Sequence, residues 1–308
     1  MGCNLFKFCS GLRVLGYFMI LLVAAIVAMS YYAVVVITWG PRLLLGGSDS
    51  ALSLSIVLVF HILLVLLMWS YFRVVFEDPG SVPENWKPLE ENLEGGAGSS
   101  LANDYVAPGT SDSIWPSGEI FERPPTVGYC SRCQNGKPPR CHHCSICQRC
   151  VLKMDHHCIW VVNCVGAHNY KFFLLFLFYT FLETTLDCIV LLPKFINFFS
   201  EAKNGSVSPG NLAATFLAFV LNLAFALSLL GFIIMNTSLL LSNTTSVEVH
   251  ERKKGVRWKY DLGRKRNFEQ VFGTKKALWF FPLISKEDFD SIPALKGLDF
   301  PMRSDVEG

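Results

Sequence analysis

Charge is scarce in this chain. Only 17% of its 308 residues are Asp, Glu, Lys or Arg, whereas 51% are hydrophobic. The length would allow two or three soluble domains, but that composition excludes a charged surface large enough to cover them. A net charge of +2 gives no basis for a nucleic-acid partner, and none is expected. No internal repeat stands out. A cleaved secretory signal is not expected, because the apolar runs are too many and the first is too long for a typical one. Cysteine is sparse outside one stretch: eight of the eleven lie between Cys130 and Cys164, and five of the seven histidines lie between His142 and His168. Mixed Cys and His at short spacing read as a metal site in a reducing compartment and exclude a disulfide framework.

What the chain does contain is apolar length. A bilayer core of about 30 Å needs roughly 20 apolar residues in a helix. Four stretches qualify: Leu15–Ile37, Leu52–Tyr71, Phe172–Ile196 and Leu212–Leu230. The expected organisation is an N-terminal segment over 1–14, helices over 15–37 and 52–71, a linker over 78–128, a Cys/His segment over 129–171, helices over 172–196 and 212–230, and a tail over 242–308. Arg42, Lys194 and Lys203 are the only basic residues in the two loops assigned to the far side. The rest lie at the N-terminus, between spans two and three, or after span four. By the positive-inside rule both termini and the Cys/His segment face the cytosol. The linker, rich in Gly, Ser, Pro and acids, buries little. In the tail, eight basic residues between Arg252 and Arg266 precede the apolar run Ala277–Ile284. That order suits a segment resting on an anionic membrane surface.

The Cys/His segment offers twelve soft ligands, as Cys130-x2-Cys133, Cys141-His142-His143-Cys144, Cys147-x2-Cys150, Asp155-His156-His157-Cys158 and Cys164, with His168 a thirteenth. A tetrahedral structural zinc takes four ligands, commonly as Cys-x2-Cys pairs completed by His or Cys. Two zinc ions would use eight.

Residues 130–173 resemble the cysteine-rich domain of the DHHC family of protein S-acyltransferases. The pattern is carried by Cys130-x2-Cys133, Lys137-Pro138, Arg140, His143-Cys144, Cys147, Cys150, Asp155-His156-His157-Cys158, Trp160, Asn163-Cys164, Gly166, Asn169 and Phe173. Asp78-Pro79-Gly80 and Asn267–Gly273 resemble two further family motifs, and Ser81-Val82-Pro83 resembles plant members. A family Thr-Thr-x-Glu motif stands here as Thr245-Ser246-Val247-Glu248; serine keeps the hydroxyl, so its hydrogen bonding is expected to survive. The resemblance implies an all-α integral membrane protein with four transmembrane helices and a cytosolic cysteine-rich domain stapled by two structural zinc ions between helices two and three. It implies that Cys130, Cys133, His143 and Cys150 hold one zinc, and that Cys144, Cys147, His157 and Cys164 hold the other. It also implies palmitoyl-CoA or a similar acyl-CoA as co-substrate, protein substrates bearing juxtamembrane cysteines, and an endomembrane home such as the Golgi or, failing that, the plasma membrane.

On that ligand set, Cys141, His142, His156, Cys158 and His168 remain unligated. Cys141, His142 and His168 are expected to be packing or hydrogen-bonded residues. Asp155, His156 and Cys158 suit thioester exchange: a thiolate nucleophile, a histidine general base, and a carboxylate that fixes the ring's tautomer. With His157 on zinc, the loop carrying them would be held rigid. A scaffold without catalysis would have no use for that spare unit. An ion pathway finds too few partners, since Glu183 and Asp187 share one face of span three and only His61 lies within another span. Glu183 is expected near mid-membrane, where it either forms a polar floor to an acyl cavity or hydrogen-bonds to Ser or Thr on another span.

Overall fold

The computed structural model describes residues 5–87, 128–205, 207–251 and 258–303. Most of the expected linker, the first part of the basic stretch from Arg252 and Ser206 lie outside the described residues. The helices are α1 (Leu5–Tyr31), α2 (Gly47–Phe76), α3 (Tyr170–Ile196), α4 (Phe198–Asn204), α5 (Pro209–Leu241), α6 (Glu248–Glu251), α7 (Arg264–Phe272), α8 (Lys286–Ser291) and α9 (Pro293–Lys296). Among the described residues, four stretches are long and apolar enough to cross a membrane: Gly16–Leu44, Gly47–Phe76, Tyr170–Ile196 and Pro209–Leu241.

These helices run further than the apolar runs alone. After α1 the backbone continues as a π-helix over Tyr32–Trp39. There Gly40 donates its N–H to the Val35 carbonyl at 2.8 Å, and Thr38 Oγ1 donates to the Ala33 carbonyl at 2.7 Å. A Cβ on Gly40 would sit 2.3 Å from that Val35 oxygen, so only glycine permits the wide turn to close. Helix α5 starts with Pro209 in its first turn and with Ser208 Oγ accepting from Asn211 N–H at 3.3 Å. It passes through Asn236 without breaking because Asn236 Nδ2 folds back onto the Phe232 carbonyl at 2.9 Å.

Helix α3 is the central element, packed along α2 and α5, while α1 leans on α5. At one end of the bundle Val271 and Phe272 of α7 join Tyr71, Phe172 and Leu175 in the main core. The buried Lys171 ammonium donates to the carbonyls of Phe272, Leu278 and Leu283 at 3.3, 2.9 and 2.6 Å. This clamp presses the apolar tail segment against the bundle. Phe280 packs against Phe178, Phe281 packs against Trp69, and both stay exposed beside spans two and three. That placement suits aromatics at a membrane interface.

Between α2 and α3 the chain forms three antiparallel hairpins: β1 (Gly128–Cys130) with β2 (Asn135–Lys137), β3 (His142–Cys144) with β4 (Arg149–Val151), and β5 (His156–Cys158) with β6 (Asn163–Val165). Three-residue strands bury too little to hold themselves together. Polar anchors tie them to the helices. Arg149 pairs with Asp78 at 2.6 Å, and Asn163 Nδ2 donates to the Val74 and Glu77 carbonyls that end α2 at 3.0 and 2.9 Å. Buried Asn169 accepts from Gly166 N–H and donates to the Cys164 carbonyl, both at 2.9 Å, which joins β6 to α3.

The expectation of no internal repeat is corrected here. The pairings Cys130↔Asn135, Cys144↔Arg149 and Cys158↔Asn163 are one register shifted by fourteen residues each time. Each turn carries its left-handed residue at the same place: Gln134, Gln148 and Val162, with φ of 50°, 56° and 53°. The repeat also stands in the sequence, as Cys-Ser-x-Cys-Gln at 130–134 and 144–148 and as His-His-Cys at 142–144 and 156–158.

Candidate active site and metal clusters

In each hairpin the first strand ends in a cysteine, and three residues later a second position follows on the same knuckle. The first two knuckles supply Cys130-x2-Cys133 and Cys144-x2-Cys147. The third supplies Cys158-x2-Val161. His143 and Cys150 of the second hairpin close over the first knuckle. His157 and Cys164 of the third close over the second. Two four-residue clusters result, Cys130, Cys133, His143 and Cys150, and Cys144, Cys147, His157 and Cys164, each with its donor atoms within 4.8 Å of one another. Cys158 begins a knuckle whose second cysteine is replaced by Val161, and neither cluster includes it.

The donor sets fit tetrahedral zinc. Bonds of about 2.3 Å to sulfur and about 2.0–2.1 Å to nitrogen, at tetrahedral angles, set S···N separations near 3.6 Å. His143 Nδ1 lies 3.6, 3.2 and 3.9 Å from the sulfurs of Cys130, Cys133 and Cys150. His157 Nδ1 lies 3.7, 3.4 and 3.5 Å from those of Cys144, Cys147 and Cys164. Cys141 is buried against the first cluster. His168 leaves the segment to meet the Lys296 carbonyl at 3.2 Å and the ring of Phe289.

Strand alternation separates the two histidines of β5. Successive side chains point to opposite faces, so His157 turns to the metal cluster while His156 and Cys158 turn together toward the helices. Asp155, 2% exposed, accepts from His156 Nδ1 at 2.7 Å. Its other oxygen accepts from Ser246 N–H at 2.8 Å, and Ser246 Oγ donates to the Asp155 carbonyl at 2.6 Å. Burial opposes a charge on His156, but hydrogen bonds with Asp155 and Cys158 outweigh it and raise the imidazolium pKa to about 9. The arrangement places a histidine that holds its proton beside the Cys158 sulfur, with Asp155 on the other side of the ring.

Sequence reasoning anticipated that Ser246 would keep its hydrogen bonding, but it could not name Asp155 as the partner. It also missed what holds Ser246 in place. Buried Arg140 makes a two-pronged bond to Glu248, Nε to Oε1 at 2.6 Å and Nη2 to Oε2 at 2.7 Å. It donates further to Asn243 Oδ1 at 3.0 Å and to the Asn243 carbonyl at 2.9 Å, and its guanidinium faces the Tyr260 and Phe300 rings. Glu248 in turn accepts from Thr245 N–H at 2.8 Å. A motif after span four is thereby fastened to the Cys/His segment. Ser246→Ala should slow self-acylation about two- to tenfold, the value of one ordinary hydrogen bond, whereas Ser246→Thr should retain wild-type rates. Single-turnover rates of the purified variants measure the difference.

Cys158, 7% exposed, lines one end of a cavity of about 390 Å³ that runs between α1, α2, α3 and α5. Its walls are apolar, with Phe173, Phe176 and Leu177 on α3, and its far end reaches Ser30, Glu183, Asp187 and Asn222. Such a volume suits one long, thin apolar ligand.

Comparison with known proteins agrees with this geometry. Residues 125–253 match the family model for DHHC palmitoyltransferase. The chain is 63% identical over 306 residues to "Probable protein S-acyltransferase 12" of Arabidopsis thaliana, covering 99% of both proteins. It is 53% identical over 307 residues to "Probable protein S-acyltransferase 14" of the same plant, covering 100% of this chain and 97% of the relative. Identity to "Palmitoyltransferase ZDHHC20" of Bos taurus is 32% over 308 residues, covering 98% of this chain and 80% of the relative. With two Cys/His clusters, four membrane-length helices and relatives matched from end to end, the chain belongs to the DHHC palmitoyltransferase family, as a multi-span protein S-acyltransferase of plant type.

Proposed function

We propose that the enzyme takes a palmitoyl or similar group from acyl-CoA onto Cys158 and then passes it to a cysteine of a membrane-associated protein. The observation that carries this reading is the position of Cys158, beside His156 on the wall of a long apolar cavity. A palmitoyl chain has about 14 methylenes, and at about 0.8 kcal/mol each their burial stabilises the bound donor by roughly 11 kcal/mol. The chain enters the cavity, the coenzyme A head stays in water, and the thioester carbonyl lies at the sulfur.

In the first half-reaction the Cys158 thiolate attacks that carbonyl. The new C–S bond to Cys158 forms, the C–S bond to coenzyme A breaks, and the proton held on His156 leaves with the coenzyme A thiol. In the second, His156 takes the proton of the incoming protein thiol, whose sulfur attacks the acyl-Cys158 thioester and regenerates the free enzyme. Asp155 orients His156 throughout. Zinc held by the two clusters would be structural, because four protein ligands would leave no position for substrate or water. Ping-pong order is tested by loading the enzyme with labelled acyl-CoA, removing the donor, and then adding acceptor protein. The label should appear on the enzyme first and move to the acceptor without further donor. A label that never appears before acceptor is added rules the order out.

The reading needs Cys158 on the cytosolic side, where acyl-CoA is supplied. The excess of basic residues at the termini and around the Cys/His segment supports that orientation; an endomembrane home such as the Golgi rests on the family resemblance. Asn204, exposed at the end of α4, begins the sequon Asn204-Gly205-Ser206 and falls on the opposite side. In sealed vesicles with the cytosolic face outward, an impermeant thiol reagent should react with a cysteine reporter at position 111 and miss one at position 206. The reverse pattern would invert the topology.

A further inference from the structure

At the far end of the cavity the lining changes character. Glu183 is 6% exposed and Asp187 is fully buried, and both line the floor. Asn222 Nδ2 donates to Ser30 Oγ at 2.8 Å, which leaves the Ser30 hydroxyl proton to interact with Asp187, while nothing among the described residues stands in hydrogen-bond reach of Glu183. The expected alternative, in which Glu183 bonds to Ser or Thr on another span, is therefore not what the structure contains. The two unpartnered oxygens of Glu183, with Asp187 and the Ser30 hydroxyl beside them, instead close a slot whose walls are apolar. Glu183 follows Phe173, the residue packed on the His156 ring, by ten residues of α3, so the floor lies about 15 Å below the catalytic end.

A terminal methyl pushed against this floor leaves buried acceptors unpaired, which is costly in a medium without water. A terminal hydroxyl would donate to them. A carboxyl offers acceptor lone pairs in either protonation state, so the argument holds for both. We propose that the floor formed by Glu183 and Asp187 is a recognition site for a hydrogen-bond donor at the distal end of the acyl chain, and that the enzyme accepts ω-hydroxyacyl thioesters in preference to unsubstituted chains of equal length. This rests on acyl-CoA being the donor and on Cys158 being acylated.

The test is an initial-rate comparison of self-acylation by the purified full chain, using unsubstituted, ω-hydroxy and 2-hydroxy acyl-CoAs of fourteen, sixteen and eighteen carbons. At the length that reaches the floor, the ω-hydroxy donor should react up to about tenfold faster than its parent, the ratio one ordinary hydrogen bond supplies. The 2-hydroxy isomer, with the same polarity at the wrong end, should show no gain. The double variant Glu183→Leu, Asp187→Leu removes both carboxyls without adding a polar group, and it should abolish the ω-hydroxy advantage while zinc content stays that of the wild type. Wild-type enzyme that uses the parent chain as fast as, or faster than, the ω-hydroxy chain at every length overturns the proposal and leaves the transferase reading standing. Failure to form an acyl-enzyme with any donor overturns both.

Discussion

Cys158→Ser should form no hydroxylamine-sensitive acyl-enzyme, and transfer to acceptor proteins should fall by about three orders of magnitude or more. The serine hydroxyl stays protonated at neutral pH, so the His156–Asp155 pair would have no thiolate to stabilise. The metal clusters should be untouched, because Cys158 lies outside both. Zinc measured on the purified variant should stay near two per chain, the number of clusters. A serine variant that still acquires thioester-linked acyl groups at the wild-type rate would take the nucleophile away from Cys158.

The second large effect separates the two faces of β5. Cys147→Ala removes one of four ligands from the cluster completed by His157 and Cys164. Structural zinc contributes roughly 10–16 kcal/mol to the folding of small zinc-bound units, and the hairpins bury too little to fold without it. The variant should lose zinc and become sensitive to protease across the Cys/His segment. His156→Ala changes the neighbour of a ligand, but on the opposite face of the strand. It should keep its zinc and its protease resistance, yet lose about 10²- to 10⁴-fold in self-acylation rate, the usual cost of removing a general acid–base group. Metal analysis and limited proteolysis on both variants decide the matter. Equal zinc loss in the two would mean that β5 does not divide structure from catalysis as its geometry suggests.

Much of this molecule follows from one-dimensional facts. Uncharged runs of membrane length have no stable alternative to helices in a bilayer, because every backbone N–H and C=O must be satisfied within the segment. The four spans could therefore be read directly from hydropathy. The Cys-x2-Cys pairs were equally legible, because a metal site demands particular side chains at short spacing. The DHHC family pattern is just as dense, and it lies in the sequence itself.

Long-range pairing decided the rest. The hairpins of the Cys/His segment were not predicted, since three-residue strands leave no hydrophobic alternation to detect; they exist because ligands from neighbouring hairpins converge. The fourteen-residue repeat was present in the sequence, with Cys-Ser-x-Cys-Gln at 130–134 and 144–148 and His-His-Cys at 142–144 and 156–158. That the third copy forms the same hairpin, however, is shown by Gln134, Gln148 and Val162 in equivalent left-handed turns. It explains why Cys158 is spare: it opens a third knuckle that lacks its partner cysteine. The link from Arg140 through Glu248 to Ser246 and Asp155 spans more than ninety residues of chain, and no local spacing rule reaches that far. The cavity floor needed the fold for the same reason. Sequence placed Glu183 at mid-membrane depth, because depth follows from helical rise. Which way its carboxyl faced, and that it faced without a partner, depended on how α1, α3 and α5 rotate against one another, and only packing fixes that rotation.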